Sequence, residues 1–294
     1  MLPGNVRGAV WITLAAVFTA CNGAIIKSLQ DLHVLQLIFL RALIGLAVLM
    51  PFVLRSGIGA VRSRRPEMHF LRVALTLGGM GCYFYAMQRI PLANAVSLQF
   101  TKPLFQIILA IWFLSEVIRW RRGVATLAGF LGALLIVRPG TEQFDFGTLY
   151  ALAGALLFAG SQTCIKRLST TDSPVTITLY FSLLGAPAML LPAIWLWQPP
   201  SAEQWLLIVA FGVLSTCGQT MWAYGIRAGE VTAVGPFDYT QLLWAGLLGF
   251  FLFAEVPDAW SIAGAMVIVV STLYMAHREA ALGRARRAAA AKEP

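Results

Sequence analysis

Apolar residues run in blocks of about twenty along the whole chain, separated by short polar or basic stretches. A helix rising ~1.5 Å per residue needs roughly twenty residues to cross ~30 Å of hydrocarbon. On that length the blocks predict ten membrane-spanning helices, at 9–27, 34–54, 69–88, 94–114, 120–138, 147–168, 174–197, 202–226, 232–253 and 258–276. The first block leads into the second with no small-residue cleavage site, so it reads as a retained helix. The longest stretches outside the spans are 55–68 and the tail after His277, and neither is long enough for a separate domain.

Composition supports a polytopic membrane protein: 59% of the residues are hydrophobic and only 12% charged. A soluble domain carries about twice that charged share. The net charge of +9 could suggest nucleic acid, but its placement says otherwise. With the N-terminus inside, Arg7, Arg55, Arg62, Arg64, Arg65, Arg119, Arg121, Arg122, Lys166, Arg167, Arg227, Arg278, Arg284, Arg286, Arg287 and Lys292 lie on inner segments, sixteen against the three outer cations Lys27, Arg89 and Arg138. That asymmetry is the positive-inside pattern and predicts both termini in the cytoplasm. No nucleic-acid partner is expected. Cys21, Cys82, Cys164 and Cys217 fall inside spans without metal or redox spacing and read as small buried apolar residues.

A shift of 139 residues superimposes the two halves: Lys27 falls on Lys166, Gly79 on Gly218, Tyr83 on Trp222, Tyr85 on Tyr224, and Glu116-Val117 on Glu255-Val256. Each half holds five spans, an odd number, so the second enters the membrane from the opposite side. Inverted repeats are the architecture of secondary transporters, with the substrate site near the midplane where the halves meet. The predicted fold is therefore all-α, two inverted five-helix repeats around a central cavity. Residues 1–140 and 141–277 form the repeats and 278–294 a loose basic tail.

The segment "NAVSLQFTKPLFQIILAIWFLSEVIRWRRGVATLAGFLGALLIV" (94–137) resembles the signature of the drug/metabolite transporter superfamily, EamA type: an early proline, a small residue and Glu at the helix end, then a glycine-rich helix. The second copy is "TAVGPFDYTQLLWAGLLGFFLFAEVPDAWSIAGAMVIVV" (232–270). The resemblance covers essentially the whole chain and implies alternating access through a central cavity. In detail it is nearest to bacterial exporters of aromatic and other neutral amino acids, which implies a multi-pass protein of the bacterial inner membrane. Two departures stand out: Ser115 and Ala254 precede the glutamates where the family often has glycine, a change expected to be harmless, and Leu242 replaces the Pro103 of the first copy.

Lys102, in the fourth span, is costly at membrane depth, roughly 2.5–3.5 kcal/mol on insertion scales, and such residues face a wet cavity or the bundle interior. Gln99 and Gln106 share its helix face, and the repeat offset maps Gln99 onto Asp238 and Lys102 onto Gln241. The two charges differ by roughly 9 Å in depth, so a direct Lys102–Asp238 pair is open but not compelled. Snorkelling of Lys102, or capping of carbonyls freed by Pro103, is the structural alternative; for Arg41 snorkelling is the expectation. Pro103 and Gly235-Pro236 interrupt the two spans at related places and are the candidate hinges.

Tyr239 and Trp244 lie deep enough to line the cavity. Tyr83, Tyr85, Trp222 and Tyr224 sit nearer span ends, where an aromatic belt explains them too. Asn22 and Gln162 are polar at depth. Glu116 and Glu255 read as caps of the helices that follow them, and Ala128/Gly132 and Gly129/Ala133 as close-packing pairs. No phosphate loop, metal spacing or catalytic constellation is visible, so no enzyme, cofactor or metal is expected. The expectation is a monomeric secondary exporter of neutral, including aromatic, amino acids. Lys102 meets the carboxylate, Asp238 or cavity amides the ammonium, and Asp238 is the candidate proton carrier. The alternatives are another metabolite, a cationic drug, a channel or a membrane-embedded enzyme.

Overall fold

The computed structural model describes residues 4–56, 63, 65–114, 120–138, 141, 144–168, 171–172, 174–228 and 235–290, with no strand among them. The first half holds α1 (Gly4–Ser28), α2 (Val34–Ser56), α3 (Pro66–Arg89), α4 (Leu92–Gln99), α5 (Lys102–Leu114) and α6 (Trp120–Val137). The second holds α7 (Phe146–Leu168), α8 (Pro174–Trp195), α9 (Ala202–Ala228), a 3-10 turn η1 (Gly235–Tyr239), α10 (Thr240–Phe253) and α11 (Ala259–Ala290).

Eight of the ten predicted spans are single helices. The fourth and ninth are not. The expected helix 94–114 breaks at Phe100-Thr101, and the expected 232–253 begins as a tight 3-10 turn before α10. The offset carries Phe100-Thr101 onto Tyr239-Thr240, so the two interruptions occupy the same place in each repeat. Within the basic tail α11 runs on to Ala290, as its alanine- and arginine-rich composition favours.

Packing follows a two-fold pattern. α3 lies along α7 as α9 lies along α1, α1 packs on α10 as α7 packs on α4 and α5, and α2/α8 and α6/α11 pair with one another. The offset partners Phe100 and Tyr239 stack ring on ring, centroids 4.5 Å apart at 26°, which puts the pseudo-symmetry axis between them. At the α6/α11 crossing the backbones nearly touch: a Cβ on Gly264 would lie 2.5 Å from the carbonyl oxygen of Gly132. Gly129 instead admits Leu104 of α5.

The outside of the bundle is apolar. On α6, Leu127, Leu131 and Leu134 are each at least half exposed, a stripe that water would not tolerate at this size but lipid does. Trp195, Trp197, Trp205 and Trp260 are exposed around one end, the position of an interfacial belt.

Polar clasps hold the repeats together at that same end. Lys27 pairs with Glu255 at 2.5 Å and donates to the Ile90 carbonyl at 2.7 Å, while Glu255 accepts the Leu92 N–H at 2.8 Å. Glu255 thus caps α4 in the other repeat, not α11. α11 is capped by Asp258, which accepts the Ser261 N–H at 2.9 Å and pairs with Arg138. Glu255 is freed for this because α10 closes with bonds from Ala254 to Phe250 and from Glu255 to Gly249, leaving Ala254 left-handed at φ 54°. The expectation that alanine there is harmless is corrected: this is the backbone state glycine favours. Glu116 and Ser115 lie outside the described residues. Gln36 and Gln198 exchange two bonds at 2.8 and 3.0 Å. At the opposite end Asp172 meets His69 at 2.8 Å and accepts from Ser63 at 2.5 Å.

Candidate functional site

Both interrupted helices meet at the stack of Phe100 on Tyr239, and several of the residues singled out from sequence lie on the elements that form it. Lys102 is the first residue of α5. Pro103 therefore falls in a first turn, where the missing N–H has no helical partner to lose, and frees no carbonyl as the sequence reading allowed. The break also ends the continuous polar stripe expected of Gln99, Lys102 and Gln106, since Gln99 closes one helix and Lys102 opens another. A helix N-terminus carries partial positive charge, and Lys102 adds a whole one. The corner favours an anion.

The Lys102 ammonium lies 5.9 Å from the ring centre of Phe158 on α7. Phe158 in turn meets Tyr83 of α3 edge to face at 6.2 Å. Gln99 is buried, and its amide N–H donates to the Ala151 carbonyl at 3.4 Å. From the second repeat η1 brings Asp238 and α10 brings Gln241 and Trp244, all half-buried. Among the described residues neither Gln99 Oε1 nor Trp244 Nε1 nor, on α1, Asn22 Oδ1, all buried, has a partner. Each buried unpaired polar group costs about 1–3 kcal/mol. Here two acceptors and one donor, on α1, α4 and α10, stand unpaired.

Lys102 and Asp238 feel one another's charge, but among the described residues no ion pair joins them. Gln162 is exposed on α7, one turn beyond Phe158 on the same helix face, and Trp222 is 44% exposed on α9. Tyr224 is exposed and packs near Trp11 at 5.9 Å, and Tyr85 joins Tyr150 and Arg89 at the end of α3. Arg41 does not snorkel. Its guanidinium lies 5.2 Å from the Phe181 ring centre and reaches Met80 Sδ at 3.6 Å. Sequence reading missed Phe100 and Phe158; the offset that pairs Tyr239 with position 100 would have found the first.

A cleft of about 1540 Å³ lies elsewhere, along α3 and α8, and none of Lys102, Gln99, Asp238 or Trp244 lines it. The expected central cavity is thus not this space.

An inverted pair of broken helices crossing at a buried cluster of both charges is a transporter arrangement, and the sequence decides which kind. The profile of the EamA-like transporter family matches residues 6–138 and again 145–276. The chain belongs to the EamA-like transporter family. Among its relatives is the S-adenosylmethionine uptake transporter of Rickettsia felis, 31% identical over 92% of this chain and 93% of that one. The riboflavin transporter of Vibrio cholerae is 30% identical over 96% of each. A pseudopaline exporter of Pseudomonas aeruginosa is 30% identical over 90% of this chain and 94% of its own. A solved crystal structure shares the fold with a TM-score of 0.61 at 22% identity, over 94% of this chain and 98% of that one. This EamA-like protein is therefore a membrane transporter; the named cargoes of these relatives do not support the expected amino-acid exporter, and they do not share one direction of transport.

Proposed function

We propose that this transporter carries amphoteric small metabolites that join an amino-acid head to a flat ring, across the bacterial inner membrane with both termini cytoplasmic. Neutral aromatic amino acids, the cargo expected from sequence, are one end of that class. S-adenosylmethionine, which carries the same head beside a purine, is the other. The observation behind this reading is the cluster at the helix breaks: Lys102 on one repeat and Asp238 on the other, in no ion pair with one another among the described residues, beside the buried Asn22 Oδ1, Gln99 Oε1 and Trp244 Nε1, which have no partner among those residues.

In this reading Lys102 and the start of α5 hold the carboxylate, and Asp238 with the Gln99 and Asn22 oxygens receives the ammonium. Tyr83, Phe158, Tyr239 and Trp244 flank the ring, with Gln241 beside them. Pro103, Gly235 and Pro236 mark where each repeat bends. Asp238 is the proposed proton carrier; without a coupled proton, cargo runs down its own gradient, outward when it accumulates in the cytoplasm. Counterflow in proteoliposomes tests the class. Vesicles preloaded with unlabelled phenylalanine, tryptophan or S-adenosylmethionine are expected to accumulate the labelled compound above the empty-vesicle level for at least one of the three. Exchange of none of them, by protein that is folded and inserted, would refute the proposed cargo class.

A further inference from the structure

The cleft along α3 and α8 is not part of the site above, and its position and rim point to a different occupant. Its shaft is apolar, with Leu77, Leu184 and Met189 on its walls, and it passes Gly81, whose missing Cβ would meet nothing within 4 Å. Phe70, Ala74 and Gly78, on one face of α3 from its first turns to midspan, line it and are exposed. The cleft thus follows α3 across the membrane, and from Phe70 to Arg89 it spans roughly 28 Å of helix at ~1.5 Å per residue.

The rim lies at the end that the charge distribution assigns to the outside. Of the three cations there, Lys27 is paired with Glu255 and Arg138 with Asp258. Arg89 makes no ion pair among the described residues: its guanidinium lies 5.3 Å from the Tyr85 ring centre, and its Cβ packs at Gly147 beside Asp145. Asp31, on the same rim, is exposed and likewise unpaired among the described residues. One cation and one anion at headgroup level, neither in an ion pair among the described residues, above an apolar shaft at acyl depth, match the two charges and the tail of one kind of molecule. We propose that this cleft binds a zwitterionic aminophospholipid of the outer leaflet, its phosphate on Arg89, its ammonium on Asp31 and one acyl chain in the shaft.

The test is photolabelling of the full-length protein in vesicles that contain phosphatidylethanolamine bearing a diazirine on one acyl chain, with adducts mapped by mass spectrometry. Adducts are expected to concentrate on α3 and α8 facing the cleft. Gly81→Phe, which adds bulk where nothing stands, should cut labelling there at least fivefold while leaving labelling of the exposed stripe on α6 unchanged. Arg89→Gln should cut it about threefold or more, and the same probe built on phosphatidylglycerol, which has no ammonium, should label the cleft no more than the stripe. Equal labelling of cleft and stripe, or labelling that Gly81→Phe leaves unchanged, would overturn the proposal. So would loss of the adducts on adding excess phenylalanine, tryptophan or S-adenosylmethionine, which would make the cleft a cargo path. Thermal unfolding of each variant, compared with wild type, separates a filled cleft from a misfolded protein.

Discussion

Exchanging Lys27 and Glu255 singly and together measures the cross-repeat clasp. Both side chains are largely buried, 13% and 15% exposed, and the ammonium also holds the Ile90 carbonyl while the carboxylate holds the Leu92 N–H. Removing one member of a buried pair leaves an uncompensated charge, typically about 3–5 kcal/mol; the residual exposure places this pair at the lower end. Lys27→Met should thus cost about 3 kcal/mol. Glu255→Gln, which keeps an oxygen for the Leu92 N–H, should cost about 2 kcal/mol, since only the charge is lost. At roughly 2 °C per kcal/mol for a chain of this size, Tm falls by about 6 °C and 4 °C. In the double variant neither charge remains, so it should recover about 2 kcal/mol of the summed loss. The assay is thermal unfolding of purified protein in detergent, run as a double-mutant cycle. Losses that add to within about 0.5 kcal/mol would refute the clasp as an energetic unit.

Other expectations rest on single features. Ala254→Gly relieves a left-handed alanine at φ 54° and should raise stability by about 1 kcal/mol, read as a higher Tm. Gly264→Leu drives a side chain into the Gly132 carbonyl and should lower Tm strongly or prevent insertion; unchanged melting would remove the close α6/α11 crossing. Partial desolvation pushes the Asp258 carboxyl up, yet hydrogen bonds from Arg138 and Ser261 more than reverse this and hold it at about 2. Because the folded value lies below the ordinary one, ~4, the clasp stabilises fully above that range and is lost as pH falls toward 2. Asp258→Asn should therefore flatten the acid limb of the melting profile.

Much of the architecture was legible in the chain because lipid leaves helices few alternatives. Block length placed the crossings, and one offset from Lys27 to Glu255 carried the repeat. The helix breaks were less legible: Pro103 marked the region, but a proline fits a first turn as well as a kink, and the actual break at Phe100-Thr101 has no proline or glycine at all. The partner of Glu255 was hidden for another reason. A carboxylate just before a helix reads as its cap, yet Asp258, three residues on, takes that role and releases Glu255 to the far repeat.

The most direct measurement of the central claim is counterflow of the accepted cargo by Lys102→Gln, with thermal unfolding as the control for folding. A carboxylate held by Lys102 at the start of α5 predicts that exchange falls at least tenfold while Tm stays close to wild type. Undiminished exchange by a normally folded Lys102→Gln protein would contradict it, and would leave Lys102 a residue of the helix break and not of the cargo site.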